Sequence, residues 1–314
     1  MTNIISKNDD SSLEFIIIGF IPKLGLIDHP IIQKIIAELR IMGFSSNDYQ
    51  LYFEQIEGRV IGIEIRFIRS ISIPTQLPSQ IFKISTLNIL RVTNLKVLSP
   101  EIVKLKELRL LELVRFQQEI LPSFISELPN LEVLIITRSE IKFIPKEIFL
   151  HKKIRDLDLI SNKILYVPQE LQLLESLEYL SLEGFSDNAK SLSQCLFSLP
   201  RLQKLSLGKF KQTIFPKIWD CLTELSSLTY LTIFGYPSTA SELTYVPPTI
   251  NNLMNLESLW IDGGIKCFPD IPDMKNLQEL YLFATPLNNN AKGILNTKIG
   301  VCINSECEIH NYYQ

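Results

Sequence analysis

Residues 154–174 read IRDLDLISNKILYVPQELQLL, and their apolar positions define a unit. Ile154, Leu157 and Leu159 form an apolar–x–x–apolar–x–apolar opening. Asn162 and Ile164 follow, and Val167-Pro168 then leads to Leu171 and Leu174. The opening recurs along most of the chain. Its middle residues are Ile63, Leu90, Leu111, Leu134, Leu157, Leu180, Leu205, Leu231, Leu259 and Leu280, at intervals of 27, 21, 23, 23, 23, 25, 26, 28 and 21 residues. A unit this short cannot bury a core alone, so consecutive units must stack. A stacked array presents a long open face and rarely a closed catalytic pocket.

Alternate residues of a strand face the same way, so Leu157 and Leu159 are expected to point into the stack and Asp156, Asp158 and Ile160 outward. Parallel strands about 4.8 Å apart would make a sheet of about ten strands roughly 45 Å along its edge. Apolar–proline pairs mark the return of the chain: Leu77-Pro78, Leu121-Pro122, Ile144-Pro145, Val167-Pro168, Phe215-Pro216, Val246-Pro247 and Phe268-Pro269. Proline fixes φ and has no amide hydrogen, which suits the entry to a short helical turn. Apolar residues three and six positions later, such as Ile125 and Leu128 after Pro122, lie on one helical face. Units of this length leave room only for short helical turns.

The unit resembles that of the leucine-rich repeat family, in its short intracellular form LxxLxLxxNxLxxLPxxIxxLxx, which plant Ras-related repeat proteins and Scribble-type scaffolds carry. The resemblance covers about 60–290. It implies an α/β solenoid, a curved horseshoe with a parallel concave sheet and short helical turns on the convex side, and a binding role. The chain departs from the unit in places. The asparagine stands squarely only at Asn162; Phe116, Phe185, Phe210 and Tyr236 occupy equivalent positions, where aromatic packing is expected to replace a hydrogen-bond ladder. The unit opening at Leu177 runs through Ser186-Asp187-Asn188 without an apolar–proline pair, and the one opening at Leu228 carries an insertion, Pro237 to Thr244.

The expected organisation is a disordered N-terminus over 1–12, an N-terminal α/β cap over 13–58, the repeat array over 59–290 and a C-terminal cap or tail over 291–314. In the cap, Asp28 is placed to begin a helix with Pro30 in its first turn, carrying a stripe of Ile32, Ile35, Ile36 and Leu39 and ending at Gly43. A Leu13–Ile18 strand would join it, and a strand over Ile299 to Ile303 would close the far end. The chain has 314 residues, 46% hydrophobic, which is ample for one continuous core. Its net charge of −3 disfavours a broad role on nucleic acid or anionic membranes. The longest uncharged apolar run, Phe15 to Pro22, is too short to span a bilayer. Asp9, Asp10 and Glu14 before it, against Lys7, have the wrong charge sign for a signal peptide. Five cysteines without paired clusters, and no Asn-x-Ser/Thr sequon, favour a reducing cytoplasm.

Catalytic and metal chemistry is weakly represented. His151 stands where the unit wants leucine and reads as a surface substitution with Leu150 filling in. Asp156 and Asp158 share one outward face about 6–7 Å apart, but an open face is expected to offer no desolvation to split their pKa values. Cys302, Cys307 and His310 make a loose Cys-x4-Cys-x2-His group with only three ligands; it reads as a capping tail, with a metal- or redox-dependent protein as the rival from another class. No cofactor is expected.

The outward positions are more informative. Leu110, Val114, Val133, Ile135 and Ile160 gather into an aliphatic patch, and Tyr230, Phe234, Trp260, Tyr281 and Phe283 into an aromatic one. An acidic strip of Asp156, Asp158 and Glu183, with Tyr179 beside it, lies between them. Exposed apolar patches rimmed by charge mark partner surfaces, and Trp and Tyr are enriched at hot spots. Arg91 between Glu64 and Glu112 reads as a cross-strand charge ladder. The expectation is a cytoplasmic, non-enzymatic interaction module that binds a protein on the concave face, with no nucleic acid and no membrane insertion. The resemblance makes a small GTPase or a signalling scaffold the partner by analogy. A substrate-recognition adaptor or host-directed effector is the second binding reading. The C-terminal tail, with Tyr312 and Tyr313, is a competing cover for the aromatic patch.

Overall fold

The computed structural model describes residues 29–68, 73–183, 199–208, 219, 222, 225–234, 246–262, 275–283 and 300–304, with the side chains of Glu183, Asp262, Leu282, Phe283 and 300–304 excepted. All ten repeat openings lie on strands: β2 (Arg59–Phe67), β3 (Ile89–Thr93), β4 (Leu110–Val114), β5 (Val133–Thr137), β6 (Asp156–Leu159), β7 (Tyr179–Glu183), β8 (Lys204–Gly208), β9 (Tyr230–Phe234), β10 (Ser258–Asp262) and β11 (Glu279–Phe283). With β1 (Tyr49–Ile56) and β12 (Gly300–Asn304) they form one 12-stranded sheet in chain order. Strands β2 to β12 run parallel and in register, so the ten middle residues form a single inner row. Leu157 and Leu159 are buried, as are Leu90, Leu111, Leu134, Leu180, Leu205, Leu231, Leu259 and Leu280. This is the expected horseshoe solenoid.

Proline sets where each unit turns back. Pro78, Pro122, Pro145, Pro168 and Pro247 each stand, in extended conformation, immediately before a five-residue 3-10 turn. The apolar residue before each proline is buried, and so are Ile125 and Leu128 or Leu171 and Leu174 after it. A 3-10 turn suffices because the 23-residue period leaves the opposite side too little chain for long helices. The Phe215-Pro216 and Phe268-Pro269 pairs lie outside the described residues, as do 1–28, Phe185, Phe210, Tyr236 and Pro237 to Thr244.

Two features of the N-terminal end differ from expectation. Helix α1 (Pro30–Ile41) is preceded by His29 at its N-cap, which makes no side-chain capping bond, while Asp28 lies outside the described residues. Ile32, Ile35 and Leu39 are buried, and Glu38 reaches across to accept hydrogen bonds from Ser79 N (2.8 Å) and Gln80 N (3.1 Å). The edge of β2 is covered by β1, an antiparallel partner joined through Glu57 (φ 49°) and Gly58 (φ 73°). Two successive positive φ values give the hairpin twist that suits adjacent antiparallel strands.

The asparagine ladder survives in altered form. Asn162 Nδ2 donates to Ile136 O (2.6 Å) and Leu159 O (2.8 Å). One position earlier in its unit, Asn94 donates to Phe67 O. Phe116 is fully buried, as an aromatic replacement should be, yet its amide is not abandoned: Phe116 N donates to Ser139 Oγ at 2.9 Å. At Phe116, aromatic packing therefore accompanies a backbone-to-hydroxyl rung instead of leaving the ladder empty. Asn94, Arg115, Arg138 and Ser161 all take positive φ (61°, 56°, 52° and 58°), a left-handed step that follows these strands.

His151 corrects the expected substitution. Its ring is 8% exposed, whereas Leu150 is 53% exposed. Nδ1 accepts from Lys153 N (3.3 Å), so Nε2 carries the hydrogen that bonds Leu128 O at 2.6 Å. The ring fills the leucine position and satisfies a neighbouring carbonyl. His151→Ala should therefore cost about 2–3 kcal/mol in chemical denaturation. His151→Leu should change stability by less than about 1 kcal/mol, because Leu131 N still bonds Leu128 O (3.4 Å). Equal losses in the two variants would contradict this role.

Candidate functional site

In-register pairing turns the outward side chains into rows. One row runs Ile89, Leu110, Val133, Asp156, Tyr179, Lys204, Tyr230, Ser258 and Glu279; the next runs Glu64, Arg91, Glu112, Ile135, Asp158, Ser181, Ser206, Thr232, Trp260 and Tyr281. Leu110, Val114, Ile135 and Ile160 are half-buried, and Ile89 extends their patch beside Leu110. Val133, expected to be exposed, is only 3% exposed. It is a short β-branched residue standing between the longer Leu110 and Asp156.

At the other end, Trp260 and Tyr281 are direct register neighbours, with ring centroids 4.1 Å apart and planes at 41°. Tyr230 lies 6.4 Å from Trp260 on the other side. Trp260 Nε1 donates to Ser258 Oγ (2.9 Å), which in turn donates to Glu279 Oε2 (3.0 Å). This chain fixes the indole while leaving the ring half-buried, an apolar body with its polar edge satisfied. Phe234 is half-buried, and Phe283 takes the register position beside Asp262 on the next row. Tyr312 and Tyr313 lie outside the described residues.

The charges divide into matched pairs and a central acidic group. Glu64 pairs with Arg66 on its own strand, and Arg91 Nε bonds Glu112 Oε2 at 3.0 Å. Burial pushes the Glu112 carboxyl above its ordinary value, with Arg91 opposing. Arg155 holds both oxygens of Glu178, at 3.1 and 2.7 Å. Asp156 and Asp158 occupy adjacent outward positions on β6, and Asp158 accepts from Ile160 N at 3.0 Å. Burial, reinforced by the Glu178 charge and opposed by Arg155 and Lys204, raises the Asp156 carboxyl to about 6. The open face thus does desolvate one of the two carboxylates, contrary to expectation, because longer side chains surround it. Glu183 lies on β7 beside this group, and its side chain is outside the described ones.

A carboxyl with a higher pKa in the fold than in the unfolded chain stabilises the fold on protonation. Its penalty is present above about pH 6 and disappears as pH falls towards the unfolded value near 4. Asp156→Asn should therefore be more stable than the parent at pH 7.5, by about 1 kcal/mol after allowance for partial solvent screening. The difference should vanish at pH 4. Urea titrations at the two pH values check the sign, and a variant less stable at pH 7.5 would refute it.

Among the described residues no His, Cys, Asp or Glu group could hold a metal ion. Cys302 takes the register position beside Tyr281, while Cys307 and His310 lie outside the described residues. No described helix is long and apolar enough to cross a membrane. A further apolar line, absent from the expected sites, repeats every 23 residues on the return side: Val97, Ile120, Phe143 and Tyr166. Phe143 and Tyr166 meet edge-on at 6.1 Å and, with Ile120, Pro145 and Pro168, line a cavity of about 630 Å³.

Stacked units, proline-led turns and an asparagine-type ladder define a repeat solenoid that displays a surface. The profile of the leucine-rich repeat region matches residues 67–282, and the chain belongs to this family. No curated protein matches it at a significant level. Among solved structures it is similar to a leucine-rich repeat protein of Leptospira interrogans, with 26% identity and a TM-score of 0.57, covering 73% of this chain and 57% of that one. The chain thus spans little more than half of that protein. Two Listeria monocytogenes internalins also align. Internalin C2 shows 20% identity, a TM-score of 0.47 and coverage of 64% and 83%; the internalin InlF shows 19%, 0.49 and 72% of each chain.

Proposed function

We propose that this chain is a non-enzymatic protein-binding module whose partner docks on the concave face, across the third to tenth repeats. The family supports an interaction role in general. The observation that carries the specific reading is the Tyr230–Trp260–Tyr281 cluster, in which Trp260 and Tyr281 are register neighbours and Tyr230 lies diagonally across the ladder from Trp260, three aromatic rings left half-buried on the sheet face. Leu110, Ile135 and Ile160 supply a second apolar contact, and Asp156, Asp158 and Tyr179 supply the polar ground between them. Small-GTPase signalling and cytoplasmic residence extend this reading by resemblance to the Ras-related and Scribble-type proteins. Cross-linking and affinity capture from the source cells tests it, with the intact chain compared against a Trp260→Ala/Tyr281→Ala variant of native circular dichroism. A partner captured by the intact chain and lost with the variant supports it. A partner retained equally by both overturns it.

A further inference from the structure

A partner that covers the aromatic platform must also cover a carboxylate. Ser258 and Trp260 occupy alternate outward positions on β10, and their register neighbours on β11 are Glu279 and Tyr281. Two rings and a carboxylate thus share one four-cornered patch, about 5 Å across the strands and about 7 Å along them. Ser258, the short corner, is 7% exposed and acts as a link between the others, not as a contact for a partner. It accepts from Trp260 Nε1 at 2.9 Å and donates to Glu279 Oε2 at 3.0 Å. Two hydrogen bonds therefore tie the carboxylate to the edge of the indole, while Glu279 itself stays exposed.

This charge is handled differently from those at the other end of the sheet. Glu64, Glu112 and Glu178 are each paired with an arginine, whereas no lysine or arginine pairs with Glu279 among the described residues. Over 257–262 and 275–283 the sequence carries Glu257, Asp262 and Glu279 against Lys275 alone. A carboxylate in water needs no partner, but one sealed beneath a docked protein does, because burying an unpaired charge is costly. The indole N–H makes no such demand, since Ser258 already satisfies it.

We propose that Trp260, Tyr281 and Glu279 form a subsite for a basic side chain of the protein partner, arginine in preference to lysine. This rests on the concave-face reading above. A cation over an aromatic face is attracted by the ring's quadrupole, most strongly by that of indole. A planar guanidinium can lie against a ring and direct its N–H donors to a neighbouring carboxylate at the same time. An ammonium is a compact, strongly hydrated point charge and gives up more water for the same place. Tyr230, 6.4 Å from Trp260, borders the subsite on the β9 side and extends the apolar ground on which the arginine's methylene stem can lie.

The test uses the full chain and a displayed heptapeptide library with one fixed central position (Arg, Lys, Ala or Glu) and randomised flanks. At low ionic strength, central arginine should be enriched roughly tenfold over alanine and more strongly over glutamate. The enrichment should shrink as salt is raised. Glu279→Gln keeps an oxygen to accept from Ser258 and should erase most of the arginine preference. Trp260→Ala should abolish binding of the selected arginine peptide. Both variants are first matched to the parent by circular dichroism; the exposed Glu279→Gln change carries the test alone if the tryptophan variant does not fold. Selection of acidic or uncharged centres, selection of nothing, or an arginine preference unmoved by Glu279→Gln overturns the subsite. If Trp260→Ala abolishes peptide binding while Glu279→Gln changes neither affinity nor preference, the concave-face reading stands and the basic subsite falls. Peptide binding that neither variant alters removes both.

Discussion

Replacing Leu157 by alanine should lower the stability of the fold by about 2–5 kcal/mol. The side chain is 1% exposed and sits on the inner row between Leu134 of β5 and Leu180 of β7. Truncation there removes apolar area and leaves a gap that neighbours on both sides are held from filling by their own ladder bonds. Repeats couple chiefly to their nearest neighbours, so a weak central interface should also divide the array into two melting units. Lys152→Ala, exposed and close in sequence, is the control and should change stability by less than about half a kcal/mol. Chemical denaturation followed by circular dichroism gives both numbers. A Leu157→Ala loss as small as the control would mean that the inner row is not the core, and a single sharp transition would mean that coupling extends beyond adjacent repeats.

The ten repeat strands were legible because their signal is local and redundant: apolar alternation marks each strand, and the following proline marks each turn. What escaped depends on neighbours in space. Strand β1, YQLYFEQI, is half-buried along most of its length, so it lacks the alternation that identifies a one-sided strand. At 150–151, polarity ranks leucine inward, but the 23-residue spacing from Leu128 to Leu174 passes through His151, and the spacing prevails because Leu128 O gives the ring a partner. The ladder was sought at one position per unit, whereas Asn94 serves it from the residue before and Ser139 with a shorter side chain. On the concave face, alternation identified the outward positions of the candidate patches. It could not assign burial within the rows, which sets Val133 below its neighbours and raises Asp156. The line through Ile120, Phe143 and Tyr166 was readable from spacing alone, since it too keeps the 23-residue period.

Partner binding should depend most on Trp260 and Tyr281. Alanine at either position should weaken it by on the order of 2 kcal/mol or more, about thirtyfold in affinity. Three features single out this pair. The rings touch, at 4.1 Å between centroids, so removing one also strips a wall from the other. The indole N–H is already bonded to Ser258, so a partner covering the ring need not leave that donor unsatisfied. Ser258 is further anchored by Glu279, which holds the platform rigid before the partner arrives and limits the entropy lost on docking. Ser258→Ala should then weaken binding less than Trp260→Ala, through loosening alone. A Cys302→Ser/Cys307→Ser double variant should bind normally. A titration against the captured partner, with each variant first checked for native circular dichroism, separates these outcomes. If the cysteine variant abolishes binding while both aromatic variants bind as the parent does, recognition lies in the C-terminal tail and not on the aromatic platform.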